Sequence, residues 1–152
     1  METIVEAKQY LRDNWEKGTD CPCCGRHVQL YDRPMHYTMV AMLIRLYRLS
    51  QKDNGYHHVK DIAAGISDTG TNDFSKLKYW GLIEQKPKDP KENKRTSGYW
   101  RITQRGVQFV LGQRTEHERV LIFNKKNLGL TGDQIDIKQA LGKRFNYNKL
   151  MK

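Results

Sequence analysis

Apolar side chains recur along this chain at two periods, and the switches between them divide it into elements. Ile4, Ala7, Leu11 and Trp15 fall at three-to-four spacing, which predicts an amphipathic helix over the first 17 residues, ended by Gly18. Val28 and Leu30 alternate, as in a strand or a return to the core. From Pro34, whose fixed φ suits a first helical turn, an apolar series predicts a helix to about Ser50. It runs through Tyr37, Val40, Met42, Leu43, Leu46, Tyr47 and Leu49. Its apolar face is wide enough to make it the central helix.

The middle of the chain alternates short apolar runs with turn chemistry. Asp53-Asn54-Gly55 reads as a turn, and Tyr56-His57-His58-Val59 as a short strand. A short helix over Lys60 to Ala64 ends at Gly65. Ser67 to Asn72 then offers several N-cap residues before Phe74, Leu77 and Trp80, spaced three apart on one face, and Gly81 closes that helix. Leu82-Ile83-Glu84 and Tyr99-Trp100-Arg101-Ile102 read as two strands joined by a polar loop from Lys86 to Gly98, with a further helix over Gln104 to Leu111. Beyond it, Val120 to Phe123 fits a buried strand, Gly129 to Gly132 a turn, and Ile137 to Tyr147 a short helix.

The segments LKYWGLIEQKP and GYWRITQRGVQFV resemble the winged helix-turn-helix family, in particular its MarR-like and PadR-like bacterial members. Gly81, Leu82, Ile83, Ile102, Thr103 and Gly106 carry the likeness, which covers roughly the middle third of the chain. The layout, with one knuckle ahead of that segment, is also similar to small bacteriophage proteins, a likeness that implies no activity. The resemblance implies an α+β fold. It gives three parts: an N-terminal helix and knuckle-like loop over 1–33, a winged helix-turn-helix over 34–112, and a basic C-terminal extension over 113–152.

Charge changes the picture more than composition does. The 152 residues carry a formal net charge of +10, yet the first 32 hold only Lys8, Arg12, Lys17 and Arg26 against six acidic side chains. The excess therefore lies in the later chain, the footprint of a protein that meets a polyanion, although solubility alone also accounts for a basic surface. From Lys125 onward seven basic residues face only Asp133 and Asp136. A mean hydropathy of −0.82 and the absence of a long apolar run speak against a membrane span or signal peptide and for a cytoplasmic protein.

If Phe74, Leu77 and Trp80 face inward, then Thr71, Asn72, Ser75, Lys76, Lys78 and Tyr79 remain near the open face. In a winged helix this second helix enters the major groove of double-stranded DNA, and the hairpin wing reaches phosphate. Asn72 has the geometry to pair with adenine, Lys76 and Lys78 to meet guanine edges or phosphate, and Ser75 and Tyr79 to donate to phosphate oxygens. The wing contributes Lys86, Lys88, Lys91, Lys94 and Arg95 against Asp89 and Glu92. The alternative is an ordinary solvated face, or a winged-helix module that docks on and inhibits or recruits a nucleic-acid-processing protein complex.

Cys21-Pro22-Cys23-Cys24-Gly25 contains the CPxCG pattern of a zinc knuckle, with Cys21 and Cys24 as ligands and His27 as the nearest third. Only three cysteines occur, so a second pair must come from histidines (His27 with His36, or one of His57 and His58) or from the knuckle of another copy. A degenerate knuckle kept as a turn is the other reading, and a redox CxxC lacks the βαβ context it needs. No GxSxG, HExxH, P-loop or dinucleotide turn is present. Asp61, Asp68 and Asp73, which would suit a metal-dependent nuclease, read better as residues complementing helix dipoles. At least two of Trp15, Trp80 and Trp100 are expected in the core. The expectation is a non-enzymatic DNA-binding protein of regulator type, with structural zinc at the knuckle and a homodimer through the N-terminal helix as its accessory features.

Overall fold

The computed structural model describes residues 3–67, 71–88 and 98–152, with Thr71 and Asn72 described by backbone alone. In chain order its elements begin α1 (Ile4–Asn14), β1 (Thr19–Asp20), β2 (His27–Val28), β3 (Leu30–Pro34), α2 (Tyr37–Lys52), β4 (His57–His58) and α3 (Val59–Ala63). There follow α4 (Thr71–Phe74), a 3₁₀ helix (Ser75–Trp80), β5 (Ile83–Gln85), β6 (Tyr99–Ile102), α5 (Gln104–Val110), β7 (Glu116–Phe123), β8 (Lys126–Ile135), α6 (Ile137–Leu141) and α7 (Tyr147–Leu150). The chain is a mixed α and β protein with small open antiparallel sheets. Those sheets are the pair β1–β2, a three-stranded sheet in the order β3-β7-β8, and another in the order β4-β6-β5.

The core is built around α2. Met39, Val40, Ala41, Met42, Leu43, Ile44 and Leu46 are all buried, so the helix is covered on nearly every side. Its start differs from the expectation. Pro34 closes β3 opposite Arg119, and the Met35 N–H continues the ladder by donating to the Glu118 carbonyl at 2.8 Å. Strand pairing thus overrides the helical preference of the proline, which sits without strain on an edge strand. His36 caps the helix instead, its Nδ1 accepting from the Thr38 N–H at 3.3 Å.

The period of three at Phe74, Leu77 and Trp80 has a geometric consequence that an α-helix would not give. A 3₁₀ helix has three residues per turn, so side chains at this spacing eclipse and point the same way. All three are buried, each contributing on the order of 1.5–3 kcal/mol by removal from water. The Trp80 Nε1 proton is satisfied by the His117 carbonyl at 2.8 Å. Gly81 closes the turn with φ of 76°, its N–H reaching the Leu77 and Lys78 carbonyls.

The residues that carry the family likeness are far apart in sequence and meet at one place. Ile83 pairs with Ile102 across β5 and β6. Thr103 caps α5 by accepting from the Gly106 N–H at 3.1 Å, and its hydroxyl donates to the Gly81 carbonyl at 2.6 Å. Gly106 lies against the Leu82 carbonyl, where a Cβ would find no room. Trp80 and Trp100 are core residues as expected, while Trp15 is half-buried and packs on Phe123 with ring centroids 5.0 Å apart.

Residues 113–152 share this core, with Val120, Ile137, Ala140 and Leu141 all within the buried cluster. Gly129 and Gly132 lie inside β8 rather than in a turn. The turn falls at Asn124 and Lys125, both with positive φ (50° and 62°), between the paired residues Phe123 and Lys126. Two residues with positive φ match the right-handed twist of the flanking strands, which explains how a tight hairpin forms without glycine at its tip. The helical stretch expected after Ile137 is interrupted at Gly142, giving α6 and α7; α6 opens with a capping box between Asp136 and Gln139. At the other end, α1 buries only Ala7 and leaves Ile4 and Val5 exposed.

Candidate nucleic-acid interface

The face of the 3₁₀ helix is less open than its sequence suggests. Lys76 Nζ lies 2.8 Å from the Asp73 carboxylate, one 3₁₀ turn away. That hydrogen bond first of all holds the Asp73 carboxyl below its ordinary range; burial opposes it, and the charges of Lys76, Arg33 and His36 add smaller lowering effects. The Tyr79 hydroxyl donates to the Lys125 carbonyl at 3.4 Å, and the Tyr79 carbonyl accepts from Asn127 Nδ2 at 2.9 Å. Tyr79 therefore ties the helix to the β7–β8 turn, a role that its expected phosphate contact did not anticipate. Ser75 is half-buried. Lys78 is exposed and lies over the Tyr79 ring at 5.3 Å.

At the base of the β5–β6 loop, Lys86 and Lys88 are exposed, with Lys86 Nζ 5.6 Å from the Tyr99 ring centre. Lys91, Lys94 and Arg95 lie outside the described residues, as do the side chains of Thr71 and Asn72. Asp61 sits in the first turn of α3 and Asp73 is paired with Lys76; Asp68 is outside the described residues.

The knuckle is a tight hairpin held by backbone bonds. Cys21 N–H donates to the Arg26 carbonyl and Gly25 N–H to the Cys21 carbonyl, both at 2.8 Å, between strands that pair Asp20 with His27. This geometry turns backbone N–H groups onto the Cys21 sulfur, with Cys23 N at 3.4 Å. Hydrogen bonds from the Cys24 and then the Cys23 backbone lower the Cys21 thiol's pKa, since they favour the thiolate. His27 Nδ1 is 3.5 Å from Asp20 and its Nε2 is 3.3 Å from Gln29 Oε1. Cys21, Cys24 and His27 line one cleft, but no group of three or more His, Cys, Asp and Glu side chains converges among the described residues. The other histidines are engaged elsewhere. His58 caps α3, and His57 Nε2 meets the Asp53 carbonyl at 2.8 Å.

That cleft is the feature the sequence did not disclose. With a volume of about 570 Å³, it lies between the knuckle, β3, the β7–β8 turn and the 3₁₀ helix. Four basic side chains line it, Arg26, Arg33, Lys76 and Lys125, and among the described residues no carboxylate does. Among the described residues, Lys76 alone of these four has a close acidic partner, Asp73. Each comes from a different element, so nothing in their sequence neighbourhoods marks them as a set; the one available signal was the basic excess itself. Among the described residues, no helix is long and apolar enough to cross a membrane. No protein-family model, curated protein or solved structure matches the chain.

Proposed function

We propose that the chain is a non-enzymatic nucleic-acid-binding protein of regulator type, built on a winged helix, with double-stranded DNA as its target. The order α2, β4, α3, α4 with its 3₁₀ continuation, β5, loop, β6, and the strand order β4-β6-β5, support the winged-helix reading. The observation that carries the functional reading is electrostatic. Lys78 on the 3₁₀ helix and Lys86 and Lys88 at the base of the β5–β6 loop are exposed cations, and the cleft beside the 3₁₀ helix has no carboxylate in its wall among the described residues.

Fluorescence anisotropy with a mixed-sequence duplex tests this. Binding should weaken as salt rises, and a Lys78→Ala/Lys86→Ala/Lys88→Ala variant should bind more weakly with a flatter salt slope. No affinity at low salt would sink the proposal. A protein partner is the second reading, and exposed Ile4 (70%) and Val5 (77%) on α1 favour it. A stoichiometric partner retained after nuclease treatment would support that reading instead. Structural zinc on Cys21, Cys24 and His27 is a separate proposal. One metal per chain in the purified protein supports it, one per two chains assigns shared ligation, and none removes it.

A further inference from the structure

We propose that the cleft between the knuckle and the 3₁₀ helix binds a single nucleoside phosphate unit. The inference deepens the nucleic-acid reading and rests on it for the class of ligand. Its volume of about 570 Å³ falls within the roughly 300–1,000 Å³ of small-molecule sites and is far too small for a duplex. One planar base with its phosphate fits that space.

The wall chemistry matches each part of such a unit. Tyr31, Tyr79 and Phe123 line the cleft and supply aromatic surface, the kind of wall on which bases of any sequence stack. Arg33 lies with its guanidinium 4.7 Å from the Tyr31 ring centre, which orders a planar cation beside that surface. Arg26, Arg33 and Lys125 place positive charge around the same space, and among the described residues no carboxylate stands in the wall to oppose a phosphate. The amides of Gln29 and Asn124 also line it, and amide groups both donate to and accept from base edges.

The unit has two sources, a free mononucleotide or an unpaired terminal nucleotide of a strand. Calorimetry with the four deoxynucleoside 5′-monophosphates, and anisotropy with a 5′-phosphorylated single-stranded hexamer, separate them. Saturable binding of either supports the proposal and identifies the source. Tyr31→Ala should weaken that binding about tenfold while Tyr31→Phe retains it, because stacking needs the ring and not the hydroxyl. Arg26→Ala should weaken it and lower the salt slope. Both positions are exposed, and blunt duplex measured on the same proteins reports the interface outside the cleft. Failure of nucleotides and single strand, with duplex still bound, overturns the cleft and leaves the proposed function standing. Loss of duplex binding alone does the reverse. Inorganic phosphate competing as well as a nucleotide, or Tyr31→Ala binding as wild type, also overturns it.

Discussion

Arg105 in α5 and Glu116 in β7 are joined by two charged hydrogen bonds, Nε to Oε1 at 2.7 Å and Nη2 to Oε2 at 2.8 Å. Arg114 adds a third, from its Nε to Oε1 at 2.7 Å. Glu116 is 1% exposed, whereas both arginine side chains are 38% exposed. The C-terminal hairpin is thus clamped to the helix that follows β6.

The unequal exposure predicts an unequal response to mutation. Removing both arginines strands a buried carboxylate, and Arg105→Ala/Arg114→Ala should cost about 3–5 kcal/mol. Glu116→Ala leaves two half-exposed cations that regain water, so it should cost less, about 1–3 kcal/mol. Urea unfolding of both variants checks the order. A larger loss for Glu116→Ala would contradict this account.

Asp73 and Lys76 predict a pH effect whose sign follows from the carboxyl. Its folded-state value lies below the ordinary one, chiefly through the hydrogen bond from Lys76. The pair's contribution is therefore present above the ordinary carboxyl range and lost as pH falls through the lowered folded value. Since both side chains are partly exposed, Lys76 at 33% and Asp73 at 60%, the effect on stability is under about 1 kcal/mol. In Lys76→Met, NMR titration should find the Asp73 midpoint moved upward. Asp73→Asn should bind nucleic acid more tightly at low salt, because the carboxylate beside Lys76 is gone.

Gly106 predicts a steric effect independent of charge. Its φ is ordinary, so space decides, and a Cβ would overlap the Leu82 carbonyl oxygen and approach Ile102 Cγ1 to 2.7 Å. That carbonyl also accepts the Thr103 N–H at 3.0 Å, so it cannot retreat without loosening the cap of α5. Gly106→Ala should lower stability by about 1–3 kcal/mol, read as a drop in Tm.

Cys21 predicts a kinetic effect. Backbone N–H groups from Cys24 and Cys23 favour its thiolate. The pH midpoint of Cys21 alkylation, followed by peptide mass spectrometry, should lie lower in the folded chain than in the same chain denatured. Coincident midpoints would show that the knuckle does not hold its sulfur as described.

The local elements from α2 through α5 are legible in the residues themselves, because each has its own cause within a few positions. The spacing of Phe74, Leu77 and Trp80 marks a buried face, Gly81 ends it, and Thr103 with Gly106 starts the next helix. Even there the three-residue period did not reveal that the turn is 3₁₀, since periodicity reports a shared face and not a hydrogen-bond pattern. What surrounds that helix is set by contacts between distant parts of the chain. Pro34 ends a strand because Arg119, 85 positions along the chain, pairs with it. Tyr79 meets Lys125, 46 positions along the chain, so a side chain that read as free is engaged, whereas the Lys76–Asp73 pair, three residues apart, is local. The cleft exists because β3 and β7 pair and bring Arg26, Arg33 and Lys125 to one space. Long-range strand pairing is set by burial summed over the whole core, and no local pattern in the sequence encodes that sum.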